Sequence, residues 1–222
     1  MRPTPTLQER LDGRRDVFLD SAPPGIRKAL LDNIQTMRGL RMVDHAKRAG
    51  SRAPDFTLPN QHGELVSLSA RLARGPVALV YYRGGWCPFC SLELEALEVV
   101  RGEVEALGAS LIAVSPQTAE ATAKTARDRR VSYDLLSDAG SLVTREYGLA
   151  YVVDEVMRPI YASFGINLEQ SNGDTRFLLP VPATYLIGAD GIIRHDFLDE
   201  NYMRRMEPSE MLDRLRAMAG AR

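Results

Sequence analysis

Cysteine is almost missing from this chain: it has only Cys87 and Cys90 among 222 residues. A pair so close in sequence cannot staple distant segments, so a disulfide framework is excluded as the basis of the fold. Histidine is equally sparse. His45, His62 and His195 are scattered without the paired spacing of a zinc module, and none has a role that the sequence defines. Charge of one sign is also lacking. With 28 basic and 29 acidic residues the net charge is −1, which provides no global field to recruit nucleic acid or an anionic membrane. The short basic cluster Arg127, Arg129, Arg130 reads as a solvated helix face. Long apolar runs are missing too: the longest compact one, Val77 to Tyr82, is strand-length, whereas a membrane-spanning helix needs roughly 20 residues. The opening stretch MRPTPTLQERLDGRRD has no apolar core of a secretory signal, so a cytoplasmic location is the expectation. No Gly-rich phosphate loop follows a strand, and no metal, flavin or nucleotide cofactor is implied.

What is present suits a soluble globular chain, with 45% hydrophobic and 26% charged residues. Residues 1–50 carry Leu7, Leu11, Phe18 and Leu19, then Ile26, Leu30, Ile34, Met37, Leu40 and Met42, at helical spacing. Ser21 to Gly25 breaks this pattern, with a proline placed to start a second helix. The expectation is an N-terminal helical arm whose apolar stripe packs on the main domain or on a second copy. Residues 51–222 read as the main domain, alternating short strands and helices. Within it Val77–Tyr82 and Ala109–Val114 flank a helix marked by Leu94, Leu97, Val100, Val104 and Leu107, a right-handed unit with parallel strands. Helices are expected over 117–130, 142–147 and 208–218. The stretch 150–180 reads as an insertion of one helix and a loop. Pro182–Ile187 and Ile192–Phe197, joined by Ala189-Asp190-Gly191, read as a hairpin.

The chemistry concentrates in Arg83-Gly84-Gly85-Trp86-Cys87-Pro88-Phe89-Cys90, between a buried strand and a helix. One helical turn separates the two sulfurs, a spacing at which a disulfide closes with little backbone movement. A Cys87 that caps the helix faces unpaired N–H groups and the positive dipole end, which favour its thiolate. Pro88 then occupies the first helical position, where its missing N–H costs nothing. Cys87, before the helix and the more exposed of the two, is the expected nucleophile, and Cys90 the residue that resolves a mixed disulfide. Trp86 and Phe89 shield the pair from water, Gly84-Gly85 permit close approach, and Arg83 offers positive charge or anchors the loop.

With these residues in view, the sequence resembles the peroxiredoxin-like branch of the alkyl hydroperoxide reductase/thiol-specific antioxidant family, within the thioredoxin superfamily. The segments that carry the likeness are APDFTLPNQHGELVSL, VALVYYRGGWCPFCSLELEAL, LIAVSPQT, YDLLSDAGSLVTREYGL and LPVPATYLIGADGIIRHDF. The resemblance implies an α/β thioredoxin-like fold, a central mixed sheet flanked by helices, with the N-terminal helical extension added. It also implies a cis-proline at Pro182 opposite the cysteine pair. Val181 would then offer its backbone to a substrate's extended chain, and Thr184 would belong to the same supporting segment. The sequence departs from the family's peroxide motif, Pro-x-x-x-Thr/Ser-x-x-Cys. Counting back from Cys87 gives Val80 and Gly84, and from Cys90 gives Arg83 and Cys87. The late-strand arginine is absent, and Tyr81 replaces the buried acid of thioredoxins.

The expected activity is a Cys87/Cys90 dithiol–disulfide cycle that reduces hydroperoxides and is recharged by a thioredoxin-like or glutathione-type reductant. The alternative is a reductase of protein or small-molecule disulfides. A redox-responsive interaction module using the arm, and a metal-binding scaffold, are the readings from other classes. A homodimer through the arm or a sheet edge is the expected assembly.

Overall fold

The computed structural model describes residues 5–220; residues 1–4 of the arm and 221–222 of the main domain lie outside the described residues. Thr6 opens helix α1 (Leu7–Ser21) with a reciprocal capping box to Glu9, which satisfies two orphan donors of the first turn. Glu207 supplies two more acceptors, taking the N–H groups of Leu7 at 3.0 Å and Gln8 at 2.6 Å. The chain's far end thus holds the start of the arm. Helix α2 (Pro24–Gly39) begins with proline in its first turn, and α3 (Met42–His45) is a single turn. Leu11 and Leu30 are fully buried, so the arm lies on the main domain and contributes to its core.

A small antiparallel hairpin follows, β1 (Thr57–Pro59) and β2 (Leu65–Ser67). Helix α4 (Leu68–Leu72) follows β2 directly, capped by the Ser67 side chain. Next come β3 (Val77–Tyr81), α5 (Pro88–Ala106), β4 (Ser110–Ser115), α6 (Ala119–Arg129), β5 (Asp134–Ser137) and α7 (Leu142–Glu146). The β5 strand is not anticipated by the sequence reading; its Asp134–Ser137 run is short and ends in polar residues. Between 150 and 180 the single helix and loop are replaced by more structure. Here β6 (Ala150–Val152) pairs with β7 (Leu178–Pro180), and they enclose α8 (Met157–Ser163) and α9 (Leu168–Asn172). These elements are too short to show a period. Asn167 caps α9 through Gln170 N, and Gly173 ends it at φ 74°. The chain closes with β8 (Ala183–Ile187), β9 (Ile193–Leu198) and α10 (Pro208–Gly220).

The central sheet has the order β5-β4-β3-β8-β9. Strand β3 pairs parallel with β4 and antiparallel with β8, and β8 pairs antiparallel with β9, so the sheet is mixed. All five residues of β3 are buried, as required of a strand covered on both faces. Leu79 and Tyr81 join one core, with Tyr147 and Tyr185, while Ala78 and Val80 join the other with Leu94, Leu97 and the cysteines. The alternation follows from the two-residue period of a strand. Both outer strands are partly covered by the connecting segment after the arm. Gly50 N–H donates to Ile193 O, Ile193 N–H to Ser51 O, and Ala49 N–H to the Asp196 carboxylate. On the opposite edge Gln61 donates to Tyr133 O and accepts from Leu135 N, and Asn60 bonds Asp134. No helix among the described residues is long and apolar enough to cross a membrane.

Candidate active site

The central strand delivers the cysteine loop to the C-terminal end of the sheet, where α5 begins. Cys87 is the N-cap residue, in extended conformation at φ −82° and ψ 117°, and Pro88 takes the first turn. Two glycines make the loop's path feasible. A side chain on Gly84, at φ +150°, would meet the Trp86 indole at 2.3 Å, and one on Gly85 would meet Thr125 Oγ1 at 2.2 Å. The Gly85 N–H donates to Gln117 Oε1 at 2.8 Å, and Gly85 O accepts from Arg129 at 3.3 Å. Arg129 also approaches Glu95 at 3.7 Å. The reading of Arg129 as a purely solvated charge is therefore corrected: it buttresses the cysteine loop.

Both cysteines are free thiols and both are buried, Cys87 at 1% and Cys90 at 0% exposure. Cys87 is only marginally the more exposed of the two. Cys87 nonetheless lines a pocket of about 610 Å³, whose walls do not include Cys90. Phe18 and Leu30 of the arm, Phe164 and Ile166 of the 150–180 segment, and Arg83 and Trp86 help to line it. The wall is thus assembled from distant parts of the chain and is mainly apolar, but Arg14, Glu95 and Arg129 line it as well as Arg83.

Arg83 is 2% exposed. Its guanidinium carbon lies 4.3 Å from the Tyr202 ring centre, 5.2 Å from Trp86 and 5.4 Å from Tyr161, and it donates to the Tyr161 hydroxyl. Such a cage holds a desolvated cation by cation–π attraction. Arg83 Nε has no partner among the described residues, an unused donor beside the Cys87 pocket. The backbone N–H of Arg83 donates to Cys90 Sγ at 3.5 Å. From the other side Arg205 Nη2 donates to the same sulfur at 3.4 Å. Arg205 is in turn held by Glu93 at 2.5 Å and by the carbonyls of Tyr202 and Arg204, each at 2.6 Å.

This wiring separates the two thiols. Burial opposes the Cys87 thiolate, but the Cys90 thiol that donates to it and the charges of Arg83 and Arg205 prevail, lowering its pKa to about 6. Cys90 is pushed well above the ordinary thiol range by burial and by the neighbouring Cys87 charge. The thiolate is therefore favoured on Cys87 and the thiol on Cys90. Burial also lifts the Glu93 carboxyl to about 7, against the pull of Arg205.

The other residues singled out from the sequence lie elsewhere. No cis peptide bond occurs among the described residues, so the expected cis-proline at Pro182 is corrected. The segment links β7 to β8, and the Val181 N–H is taken by Leu149 O at 2.8 Å. Val181 is buried, its N–H is not free for a substrate's chain, and neither it nor Pro182 lines the pocket over Cys87. Thr184 sits within β8 opposite Val80, a sheet position. Glu93, Gln117, Tyr161, Tyr202 and Arg205 are the site residues that the sequence reading misses. Glu93 alone carried a signal: it falls one turn after Cys90 and one turn before Leu97, on the apolar face of α5.

Comparison with known proteins agrees with this geometry. Peroxiredoxin Q from Triticum aestivum chloroplasts is 34% identical over 100 residues, which cover 45% of this chain and 46% of that protein. The thiol–disulfide oxidoreductase ResA of Halalkalibacterium halodurans is 32% identical over 103 residues, 46% of this chain and 57% of that protein. Across such curated relatives the chain spans between 46% and 66% of their length. Among solved structures, peroxidoxin BcpB of Mycobacterium tuberculosis superposes with a TM-score of 0.60 at 26% identity, covering 78% of this chain and 97% of that one. The family model described as AhpC/TSA matches residues 49–196, the stretch from the connecting segment into β9 that holds the cysteine loop and nearly all of the central sheet. The chain belongs to the AhpC/TSA family.

Proposed function

We propose that the protein is a thiol-dependent peroxidase that reduces organic hydroperoxides through a Cys87–Cys90 cycle. The observation that carries this reading is the placement of a stabilised Cys87 thiolate at the wall of an apolar pocket with Arg83 beside it. The thiolate attacks the distal peroxide oxygen, the S–O bond forms, the O–O bond breaks, and the alkoxide leaves to collect a proton as the alcohol. Cys87 is then a sulfenic acid. Cys90 attacks its sulfur; the S–S bond forms, and hydroxide departs with the Cys90 proton as water. A thioredoxin-like or glutathione-type thiol donor returns both cysteines to the reduced state, oxidised in their place.

Arg83 supports the first step by facing the charge that develops on the peroxide oxygens, the role that fixed donors play in a water-poor site. It occupies this role although the family's usual proline and hydroxyl are missing from the loop. Pro88, Trp86 and Phe89 fix the loop and limit water. The apolar walls favour a hydroperoxide with a hydrocarbon body over hydrogen peroxide. The same reading assigns a cytoplasmic location, and a homodimer through the arm, where Val17 and Leu31 are exposed. A monomeric mass by light scattering would remove the dimer.

The missing motif residues and the likeness to ResA favour one alternative, a disulfide reductase of small or protein substrates. Single-turnover Trp86 fluorescence decides between them. A fast phase with cumene hydroperoxide, lost in Cys87→Ser, supports the peroxidase. A slow peroxide phase beside rapid exchange with a disulfide reverses the order.

A further inference from the structure

Cys90 is a buried thiol whose sulfur accepts two N–H donors, the Arg83 backbone at 3.5 Å and Arg205 Nη2 at 3.4 Å. A thiol that only had to lie next to Cys87 needs neither. Arg205 comes from the turn before α10, 115 positions away in sequence and beyond the family-matched stretch. It is fixed on three sides, by Glu93 and by two carbonyls of its own turn. An arginine and a glutamate this deeply buried, 5% and 2% exposed, are costly to desolvate, and an apolar pair would fill the same space without that cost.

We propose that Arg205, oriented by Glu93, is a catalytic group for Cys90, carrying the negative charge that this sulfur bears at two steps of the cycle. The inference rests on the dithiol–disulfide reading above. In resolution, Cys90 gives up its proton as it attacks the Cys87 sulfenic sulfur; the S–S bond forms and water leaves. In recharging, a thiolate of the reductant attacks Cys87 Sγ, a new S–S bond forms, the Cys87–Cys90 bond breaks, and Cys90 leaves with the electron pair as a thiolate. The second thiol of the reductant then displaces Cys87. Arg205 faces Cys90 Sγ at both moments, and a better-stabilised leaving thiolate departs faster. Glu93 acts through Arg205 as a positioning residue: it aims the guanidinium and offsets part of its charge.

The groups that face this cluster are Cys87 at the N-cap of α5, Arg83 at the start of the loop, Tyr82 just after β3 and Tyr161 on α8 around Cys90. Around Glu93 they are Arg205 and Tyr133. Among these, Glu93 and Arg205 bear opposite charges, so their removal shifts Cys90 in opposite directions.

The test is the thiolate absorbance of Cys90 against pH in the full chain carrying Cys87→Ser, so that Cys90 is the only thiol. Arg205→Met raises the Cys90 midpoint by about one pH unit or more, and Glu93→Gln lowers it by about one, as expected for a charge within contact range. Arg205→Lys, which keeps the charge, stays near the parent value. In the chain with both cysteines, Arg205→Met slows the second, resolving phase of Trp86 fluorescence roughly threefold. A tenfold smaller thiolate fraction is partly offset by higher nucleophilicity. Midpoints that stay fixed, or that move upward in both variants, overturn the assignment and leave the pair a structural tie. Absence of any peroxide phase in the unaltered protein defeats the peroxidase reading instead, and the titration does not depend on it.

Discussion

Arg83 and Tyr202 are stacked, with the guanidinium carbon 4.3 Å from the ring centre. Tyr202 belongs to the same turn as Arg205, so one short segment before α10 supports both cations of the site. The Arg83 head is held at the pocket while its backbone N–H reaches Cys90. The positive charge that favours the Cys87 thiolate is therefore fixed before any peroxide arrives.

Because the Cys87 pKa is lowered to about 6, the peroxide phase rises with pH through that value and is flat above about 7. Arg83→Met moves the midpoint upward by about one to two pH units, and the rate near pH 6.5 falls about tenfold. Stopped-flow fluorescence across a pH series checks both. The linked stability has a definite sign. Cys87 is depressed on folding, so its contribution is fully present above the ordinary thiol pKa of about 8.5 and is lost as pH falls through about 6.

The cysteines have separable roles. Cys87→Ser abolishes the peroxide phase and all turnover. Cys90→Ser keeps the first phase, because the nucleophile and Arg83 remain, but the sulfenic acid persists and is captured by dimedone in intact-mass spectra. Loss of the first phase in Cys90→Ser, or a dimedone-captured sulfenic acid on Cys90 in the Cys87→Ser chain, would contradict the assignment.

The loop tolerates no side chain at its glycines. Gly85→Ala places its Cβ 2.2 Å from Thr125 Oγ1, and overpacking of this kind costs about 1–3 kcal/mol. The melting temperature and the peroxide rate should fall together. Thr125→Ala removes the two shortest contacts, so the double variant recovers part of both losses, as a double-mutant cycle reads out.

Substrate preference depends on the arm. Phe18 and Phe164 pair with ring centres 5.3 Å apart at the pocket. Phe18→Ala should raise KM for cumene hydroperoxide several-fold and leave that for hydrogen peroxide little changed, since an aromatic pair contributes on the order of 1 kcal/mol beyond its area. Equal changes for both peroxides would mean that the arm only stabilises the fold.

The cysteine loop is legible from sequence because a doubly buried strand, two glycines and a first-turn proline leave only one place for α5 to start. The β8–β9 hairpin is equally plain from Asp190-Gly191. What is not legible depends on long-range packing. Arg205 approaches Cys90 across 115 positions, from a turn with no periodicity, and Tyr161 sits on a seven-residue helix too short to show a face. Glu93 is intermediate, since its place on an apolar face marks it but does not name its partner. Pro182 is the instructive error. A Val-Pro before a strand fits a substrate-facing turn equally well, and only the bond from Val181 to Leu149 shows that this backbone is already occupied.

The segment from 48 to 61 lies over parts of both outer strands, bonding Ile193 and Asp196 of β9 on one side and Asp134 and Leu135 of β5 on the other. An uncovered strand edge is a template for aggregation between copies. On the proposed peroxidase reading the protein is repeatedly exposed to damage that loosens packing, and the chain's own connecting segment blocks much of the route from such loosening to intermolecular sheet growth. Cleavage of that segment would thus show itself first as turbidity on storage, before any loss of thiol chemistry.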